Sequence, residues 1–400
     1  MAKAAILGFG TVGSGVYEIL RDKSFTLSAG EDIEVKYILD IRDFDDAEVK
    51  KYLVNDFEII ANDKEVKVAA EVMGGLHPAY EFTKRLLENG VSVVTSNKEL
   101  VATYGAELLE IAKENDASYM FEASVGGGIP VIRPMGICTK ANDVLRIAGI
   151  LNGTTNYILN EMFKKGKDFE EALKDAQAKG YAERNPAADV EGHDACRKLA
   201  ILSSMAWGKF VDYNEIPTEG ITKITLDDVK YAEKLNCVIK LIGYSEKVGE
   251  KIYARVSPML VSDDIILSGV NDVFNAVMIK GDSLGDAMFY GRGAGKLPTA
   301  SAVVADVIDC VRHFNTKKHN MLWDIDNEDI MSDPDEKKMS FFVRCQDTKD
   351  NIEKQFEELK YIDLKDEENA FLVKSISQNE LEQKLSRLSG VISFMRVMEA

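Results

Sequence analysis

Positive charge is in deficit in this chain of 400 residues: 49 lysines and arginines stand against 67 aspartates and glutamates, for a net charge of −18. A surface so acidic offers no broad phosphate-binding face, so nucleic acid is not an expected partner. Cysteine is scarce as well. The five (Cys138, Cys196, Cys237, Cys310 and Cys345) are odd in number, widely spread and never spaced as C-x-x-C. That excludes a disulfide framework or a zinc ribbon and fits reduced thiols in a cytosol. The four histidines (His77, His193, His313 and His319) form no H-x-x-x-H pair. No apolar run approaches the roughly 20 residues needed to span a bilayer. The opening stretch Lys3-Ala4-Ala5-Ile6-Leu7 is too short for a signal sequence and has no cleavage site. The expectation is a soluble, cytoplasmic chain with no membrane partner.

What the sequence does contain is ordinary globular material, 46% hydrophobic and 29% charged, enough for two or three domains at about 150 residues each. No internal repeat or low-complexity tract interrupts it. Over the first stretch, short apolar runs alternate with longer amphipathic ones. Strands are expected at Ala4–Leu7, Val35–Leu39, Val68–Val72, Ser92–Thr95 and Ser118–Phe121, with helices at Gly13–Arg21, Pro78–Asn89 and Tyr104–Asn115 between them. Such alternation implies a doubly wound parallel sheet of the Rossmann type, in the α/β class. The loops after its strands, Gly74-Gly75, Ser96-Asn97 and Gly126-Gly127-Gly128, should converge on one crevice.

Beyond Arg133 the texture changes. A strand at Val144–Ile150, helices at Asn156–Lys165, Phe169–Ala178 and His193–Gly208, and strands at Ile252–Pro258 and Asn275–Ile279 suggest an α+β region. Gly291–Leu297 reads as a glycine loop before an apolar helix, Thr299–Val311, that should pack back on the first domain. A charged linker then precedes strand Ser340–Arg344, helix Ile352–Leu359, strand Ala370–Ser375, helix Gln378–Leu388 and strand Val391–Met398. The expected domains are 1–130, completed by 290–323; 131–290; a linker at 324–337; and a small α+β unit at 338–400.

The string Gly8-Phe9-Gly10-Thr11-Val12-Gly13 follows an apolar strand and opens a helix, the context that makes G-x-G-x-x-G a dinucleotide site. The first glycine permits the tight turn, the second admits the pyrophosphate, and the third lets strand and helix pack closely. The helix N-terminus presents free N–H groups to the phosphates. At the end of the second strand, Asp40 could accept bonds from the ribose hydroxyls of NAD and Arg42 could hold the 2′-phosphate of NADP. Both are present, so the preference stays open.

Asp194 and Lys198 lie four apart at the start of a helix, hence on one face. A surface ion pair is one account. The apolar run Leu199-Ala200-Ile201-Leu202 points instead to a semi-enclosed ammonium, and the loop before it brings a second carboxylate, Glu183. Carboxylates to hold a substrate ammonium, and a lysine to exchange a proton with a substrate oxygen, are what oxidation of an amino alcohol requires. Lys98, at the end of the fourth strand, is either an ordinary strand-terminal lysine or a second cation in the same crevice, where each lysine would lower the other's pKa.

At these residues the chain resembles homoserine dehydrogenase, in its monofunctional form with a C-terminal ACT-like domain. The matching stretches include Gly8–Gly13, Glu71–Gly75, Thr95–Lys98, Glu122–Pro130, Ile150–Ile158, Gly180–Lys198, Asn271–Val277 and Phe289–Ala305. The resemblance implies NAD(P)-dependent interconversion of L-homoserine and L-aspartate 4-semialdehyde, within threonine, methionine and isoleucine biosynthesis, by a homodimer or dimer of dimers. It implies Lys198 as the proton donor, Lys98 as a second active-site lysine touching cofactor and substrate, and Glu183 and Asp194 as substrate ligands; the sequence itself leaves open which lysine moves the proton. For the cofactor it implies Gly180 and the loop carrying Gly291 and Gly293, beside Gly74, Ser96 and Lys98. It also implies a monovalent cation, sodium, on Glu122 and the carbonyls of Val125, Gly127 and Ile129.

Two positions depart from the family pattern. Lys296 stands where small or acidic residues are familiar. The segment Arg344–Asp350 lacks the D-x-P-G turn at which ACT domains bind their amino acid, so threonine feedback is not expected and the unit is left with dimer contacts. A semialdehyde dehydrogenase with an acyl intermediate would need an exposed cysteine beside a histidine. A Rossmann-type sensor would need neither lysine.

Overall fold

The computed structural model describes residues 2–22, 32–314, 316, 322–325 and 330–399. His319, part of the 290–323 segment and the middle of the 324–337 linker lie outside the described residues. The chain divides into two compact units: Met1–Val144, Ala200–Tyr213 and Lys280–Glu328 form one, and Leu145–Leu199, Asn214–Ile279 and Asp329–Ala400 the other.

The first unit is built on strands β1 (Ala2–Leu7), β2 (Ile33–Leu39), β3 (Leu53–Val54), β4 (Val66–Glu71), β5 (Ser92–Thr95) and β6 (Tyr119–Met120). They form a six-stranded sheet in the order β3-β2-β1-β4-β5-β6, parallel throughout. Strands buried on both faces read as unbroken apolar runs, which is why Ala4–Leu7 was legible. The order reverses between β1 and β4, which sets a crevice outside their carboxyl ends. Val16, Tyr17 and Leu20 of helix Thr11–Arg21 share one core with Ala300, Val303, Val304 and Val307 of helix Lys296–Arg312, over Ile6, Ile38 and Val68. Contact between those helices is close: a β-carbon on Gly15 would lie 2.9 Å from that of Ala300.

The expected helix Tyr104–Asn115 starts earlier, at Lys98. The Asn97 side chain caps it by accepting the Leu100 N–H at 3.2 Å. The expected loop Gly291–Leu297 is shorter than its glycines suggested: strand β11 runs from Gly285 to Arg292, and the next helix starts at Lys296.

The second unit holds β7 (Val144–Ile150), β8 (Cys237–Val248), β9 (Lys251–Ser262), β10 (Phe274–Gly281), β12 (Lys338–Cys345), β13 (Leu359–Tyr361), β14 (Asn369–Ser377) and β15 (Val391–Met398). Their order is β10-β7-β8-β9-β15-β12-β14-β13. Strands β8 and β9 form a twelve-residue antiparallel hairpin, and β15 joins β9 in parallel. Residues 338–399 run strand, helix, strand, strand, helix, strand, with antiparallel neighbours β15-β12-β14-β13. The helix expected at Ile352–Leu359 lies at Lys349–Gln355, capped by Thr348, and Leu359 instead starts β13.

Two buried arginines tie these strands to the rest of the unit. Arg344, 3% exposed, donates to Asp228 at 2.6 Å and to both oxygens of Glu368 at 3.1 and 3.0 Å. Arg396 on β15 and Arg255 on β9 share Glu219, at 2.9 and 3.0 Å.

Candidate functional site

In the first unit the loops after β1, β2, β4 and β5 carry the expected cofactor residues other than Gly180, Gly291 and Gly293. Gly8 has φ +94°, and its N–H donates to the Leu39 carbonyl at 2.8 Å. Nothing lies within 4 Å of a β-carbon placed on Gly10, whereas one on Gly13 would strike the loop itself. Helix Thr11–Arg21 has no side-chain cap, so the first-turn N–H groups of Thr11, Val12 and Gly13 lack the usual capping oxygen. The Phe9 N–H donates to Asp40 Oδ2 at 2.8 Å. Arg42 folds back on the same carboxylate, with Nε on Oδ1 at 2.9 Å and Nη2 on Oδ2 at 2.8 Å. That forked pair holds the Asp40 carboxyl down at about 2. Asp40 is sequestered while the Arg42 side chain stays 58% exposed, with its guanidinium over the Phe44 ring.

Glu71, which ends β4, organises the next two loops. It is fully buried, and burial raises its pKa against the hydrogen bonds it accepts. Those come from the Thr95 hydroxyl at 2.6 Å and the Met73 N–H at 2.8 Å. Thr95 in turn accepts the Asn97 N–H, and the Asn97 amide donates to the Gly75 carbonyl at 2.6 Å. The turn at Gly74, with φ +81°, and the start of the Lys98 helix are thereby linked; Ser96 and Lys98 are half-buried beside them.

The loop after β6 closes on itself. Glu122 is buried, and its carboxylate accepts the N–H groups of Val131, Ile132 and Arg133 at 2.7, 2.8 and 2.8 Å. Its own N–H donates to Asp306, a buried acid raised to about 7 by desolvation against the pull of Arg133. Among the described residues no hydrogen bond is donated to the carbonyls of Val125, Gly127 or Ile129. The expected cation donors, Glu122 and the carbonyls of Val125, Gly127 and Ile129, thus lie on one buried loop whose carboxylate is already held by three N–H groups. Groups of three or more His, Cys, Asp or Glu side chains poised for a metal are absent among the described residues. Glycine is required at Gly127, where φ is +56° and a β-carbon would stand 2.5 Å from the Gly293 carbonyl oxygen; one on Gly291 would press on Ile129 at 3.2 Å.

The second unit holds the ionisable cluster. Lys198 and Asp194 are both buried, and Lys198 Nζ donates to Asp194 Oδ2 at 2.7 Å and to the Leu151 carbonyl at 2.8 Å. The Asn152 amide nitrogen reaches Asp194 Oδ2 at 2.8 Å and Asp189 Oδ1 at 2.7 Å. Asn152 and Asp189 carried no individual role in the sequence reading. Their only signal was membership of the stretches Ile150–Ile158 and Gly180–Lys198. Glu183 is exposed, and its loop is pinned where the Thr154 hydroxyl donates to the Tyr181 carbonyl at 2.7 Å. Gly180 opens that loop with φ +73°. Lys198, Asp194 and Asp189 are thus drawn together by hydrogen bonds, Glu183 stands on a neighbouring loop, and Lys98 belongs to the first unit.

Two family models match: "Homoserine dehydrogenase, NAD binding domain" over residues 8–122 and "Homoserine dehydrogenase" over residues 130–308. The chain belongs to the homoserine dehydrogenase family. The homoserine dehydrogenase of Neisseria gonorrhoeae is 42% identical over 312 residues, 77% of this chain and 72% of that protein. The crystal structure of the enzyme from Thiobacillus denitrificans superposes with TM-score 0.89 at 34% identity, covering 100% of this chain and 98% of that one. A hyperthermophilic archaeal homoserine dehydrogenase in complex with NADPH gives TM-score 0.68 at 31% identity, over 80% of this chain and 99% of that one. Membership agrees with the expected Rossmann-type α/β class and with an NAD(P)-dependent oxidoreductase. It disfavours both the acylating dehydrogenase and the sensor. Cys196, the cysteine inside the Lys198 helix, is buried with its thiol toward the Ile216 carbonyl. Lys296, the departure in the glycine loop, pairs with Glu18 at 2.8 Å. No described helix is long and apolar enough to cross a membrane.

Proposed function

We propose that this chain interconverts L-homoserine and L-aspartate 4-semialdehyde, with Lys198 exchanging a proton with the substrate oxygen. The carrying observation is a buried ammonium held on Asp194 and a backbone carbonyl. In the reductive direction Lys198 donates a proton to the carbonyl oxygen as it gains negative charge; in the oxidative direction a neutral Lys198 takes the hydroxyl proton. Asp194 and Glu183 provide negative charge for the substrate ammonium. Bound NAD(P) supplies or accepts the hydride. Gly8–Gly13 would hold its phosphates, and by the family resemblance Gly74, Ser96, Lys98, Gly180, Gly291 and Gly293 would contact it.

The chain is proposed to favour NADP. Asp40 already receives the Phe9 N–H and the Arg42 fork, while the guanidinium remains exposed to meet a 2′-phosphate. Sodium is proposed on Glu122 and the carbonyls of Val125, Gly127 and Ile129. The strand order of residues 338–399 supports an ACT-like unit. Both oxygens of Asp347 there are occupied, by the Thr348 N–H, the Asn351 amide and the Ser389 N–H, which supports a structural role over threonine binding. A homodimer or dimer of dimers rests on the family resemblance, and the five free thiols suit a cytoplasmic location.

The test is oxidation of L-homoserine with NAD+ and NADP+ side by side, for the wild type and Lys198→Ala. Turnover with homoserine, better with NADP+ and lost in the variant, is the expected result. An equally active variant would remove Lys198 from the chemistry.

A further inference from the structure

We propose that Asn152 is a positioning residue for this reaction: its amide nitrogen bridges Asp189 and Asp194 and thereby holds Asp194 on Lys198. The inference rests on the role given to Lys198 above. Asn152 is 5% exposed, and both ends of its amide are used. Nδ2 has two N–H bonds and meets two carboxylates, at 2.7 and 2.8 Å. Oδ1 accepts the Thr155 N–H at 2.9 Å and so caps helix Gly153–Lys165. The cap fixes which way the amide faces, because turning it over would put donors against an N–H and an oxygen against two carboxylates.

The bridge solves an electrostatic problem. Two carboxylates near one lysine repel each other and compete for its charge. A neutral donor between them offsets the repulsion without adding a competing cation. Asp194 Oδ2 receives both Asn152 Nδ2 and Lys198 Nζ, so one oxygen atom is located by two donors from different elements. The preceding residue locates the lysine from the other side through the Leu151 carbonyl. One turn of chain, Leu151-Asn152, therefore sets both members of the pair. The other charged groups on the elements around this pair are Glu183, on the loop pinned to Thr154, Arg197, next to Lys198 in its helix, and Lys240 of β8, held on Asn156 at 3.0 Å.

The two jobs of Asn152 can be separated by substitution. Asn152→Ser and Asn152→Asp both keep an oxygen able to cap Thr155, and both lose the bridging N–H bonds. Asn152→Ser adds no charge; Asn152→Asp adds a third carboxylate. Positioning predicts that kcat for homoserine falls about tenfold to a hundredfold in both variants, since small misplacements at a reacting centre are costly. The cofactor KM and the melting temperature of Asn152→Ser should stay near wild type. In Asn152→Asp the kcat–pH profile should shift toward higher pH, because an added carboxylate favours the protonated form of a neighbouring amine. If Asn152→Ser keeps kcat within about twofold with an unmoved pH profile, or loses its folding transition, the proposal is overturned and Asn152 is only a cap. Lys198→Ala measured alongside separates the two failures. Turnover retained there removes the role of Lys198; turnover lost there with Asn152→Ser unaffected removes only the bridge.

Discussion

A β-carbon on Gly13 would lie 2.0 Å from the carbonyl oxygen of Gly8, closer than any packed pair of atoms, so the loop and its helix can meet only at a glycine. Gly10, three residues earlier, has open space around it. The two glycines therefore serve different ends. Gly13→Ala should destabilise the first unit by at least about 1–3 kcal/mol, as overpacking does, and lower its melting temperature. Gly10→Ala should leave melting unchanged and weaken NADPH binding, measured by fluorescence titration. Equal melting losses in both variants would refute the distinction.

Arg42 and Asp40 give a cofactor prediction. Removing the guanidinium in Arg42→Ala takes away the partner of a 2′-phosphate and releases Asp40 to accept from a ribose. The KM for NADP+ should rise about tenfold or more, the scale of a lost charge-assisted hydrogen bond, while the KM for NAD+ holds or falls. A parallel rise for both cofactors would mean that Arg42 only shapes the loop.

Lys240 should leave a mark on the pH dependence of stability. It is 3% exposed, and burial, with a smaller push from Lys164, brings its pKa from 10.5 down to about 8. Between those values the unfolded chain holds a proton that the folded chain has released. Raising the pH through that window therefore favours the folded state, by up to about 3 kcal/mol. Lys240→Met should abolish that rise in urea titrations taken at intervals across it. Parallel curves for variant and wild type would show that Lys240 is not depressed.

Arg344 neutralises two buried acids at once. In Arg344→Met, Asp228 and Glu368 keep their burial and lose their counter-charge, which should cost about 3–5 kcal/mol. Denaturant unfolding of the whole chain checks it. A loss below about 1 kcal/mol would place the network with weak surface pairs.

The sequence conveyed some of this much better than the rest. Parallel strands such as Ser92–Thr95 announce themselves because both faces are buried, and the glycine string announces its loop. Strand β8 does not, because Lys240 and Gly243 break its apolar pattern, and their burial depends on partners far along the chain. Lys198 and Asp194 were legible as an i,i+4 pair on a helix. The Asn152–Asp194 bond spans 42 residues, so no local period could reveal it. Asp40 and Arg42 showed up as competing signals for two cofactors. That they bind each other depends on a side chain folding back, which spacing does not encode.

The parallel pairing of β15 with β9 bears on how the protein is made. Strand β9 emerges from the ribosome long before β15, and until β15 arrives one of its edges has exposed N–H and C=O groups. The second unit therefore cannot complete its frame while the chain is still being synthesised through residue 390, and an unpaired edge invites pairing with another nascent chain. Arg396, carried in by β15 to share Glu219 with Arg255, makes the arrival of that strand the event that both covers the edge and locks it.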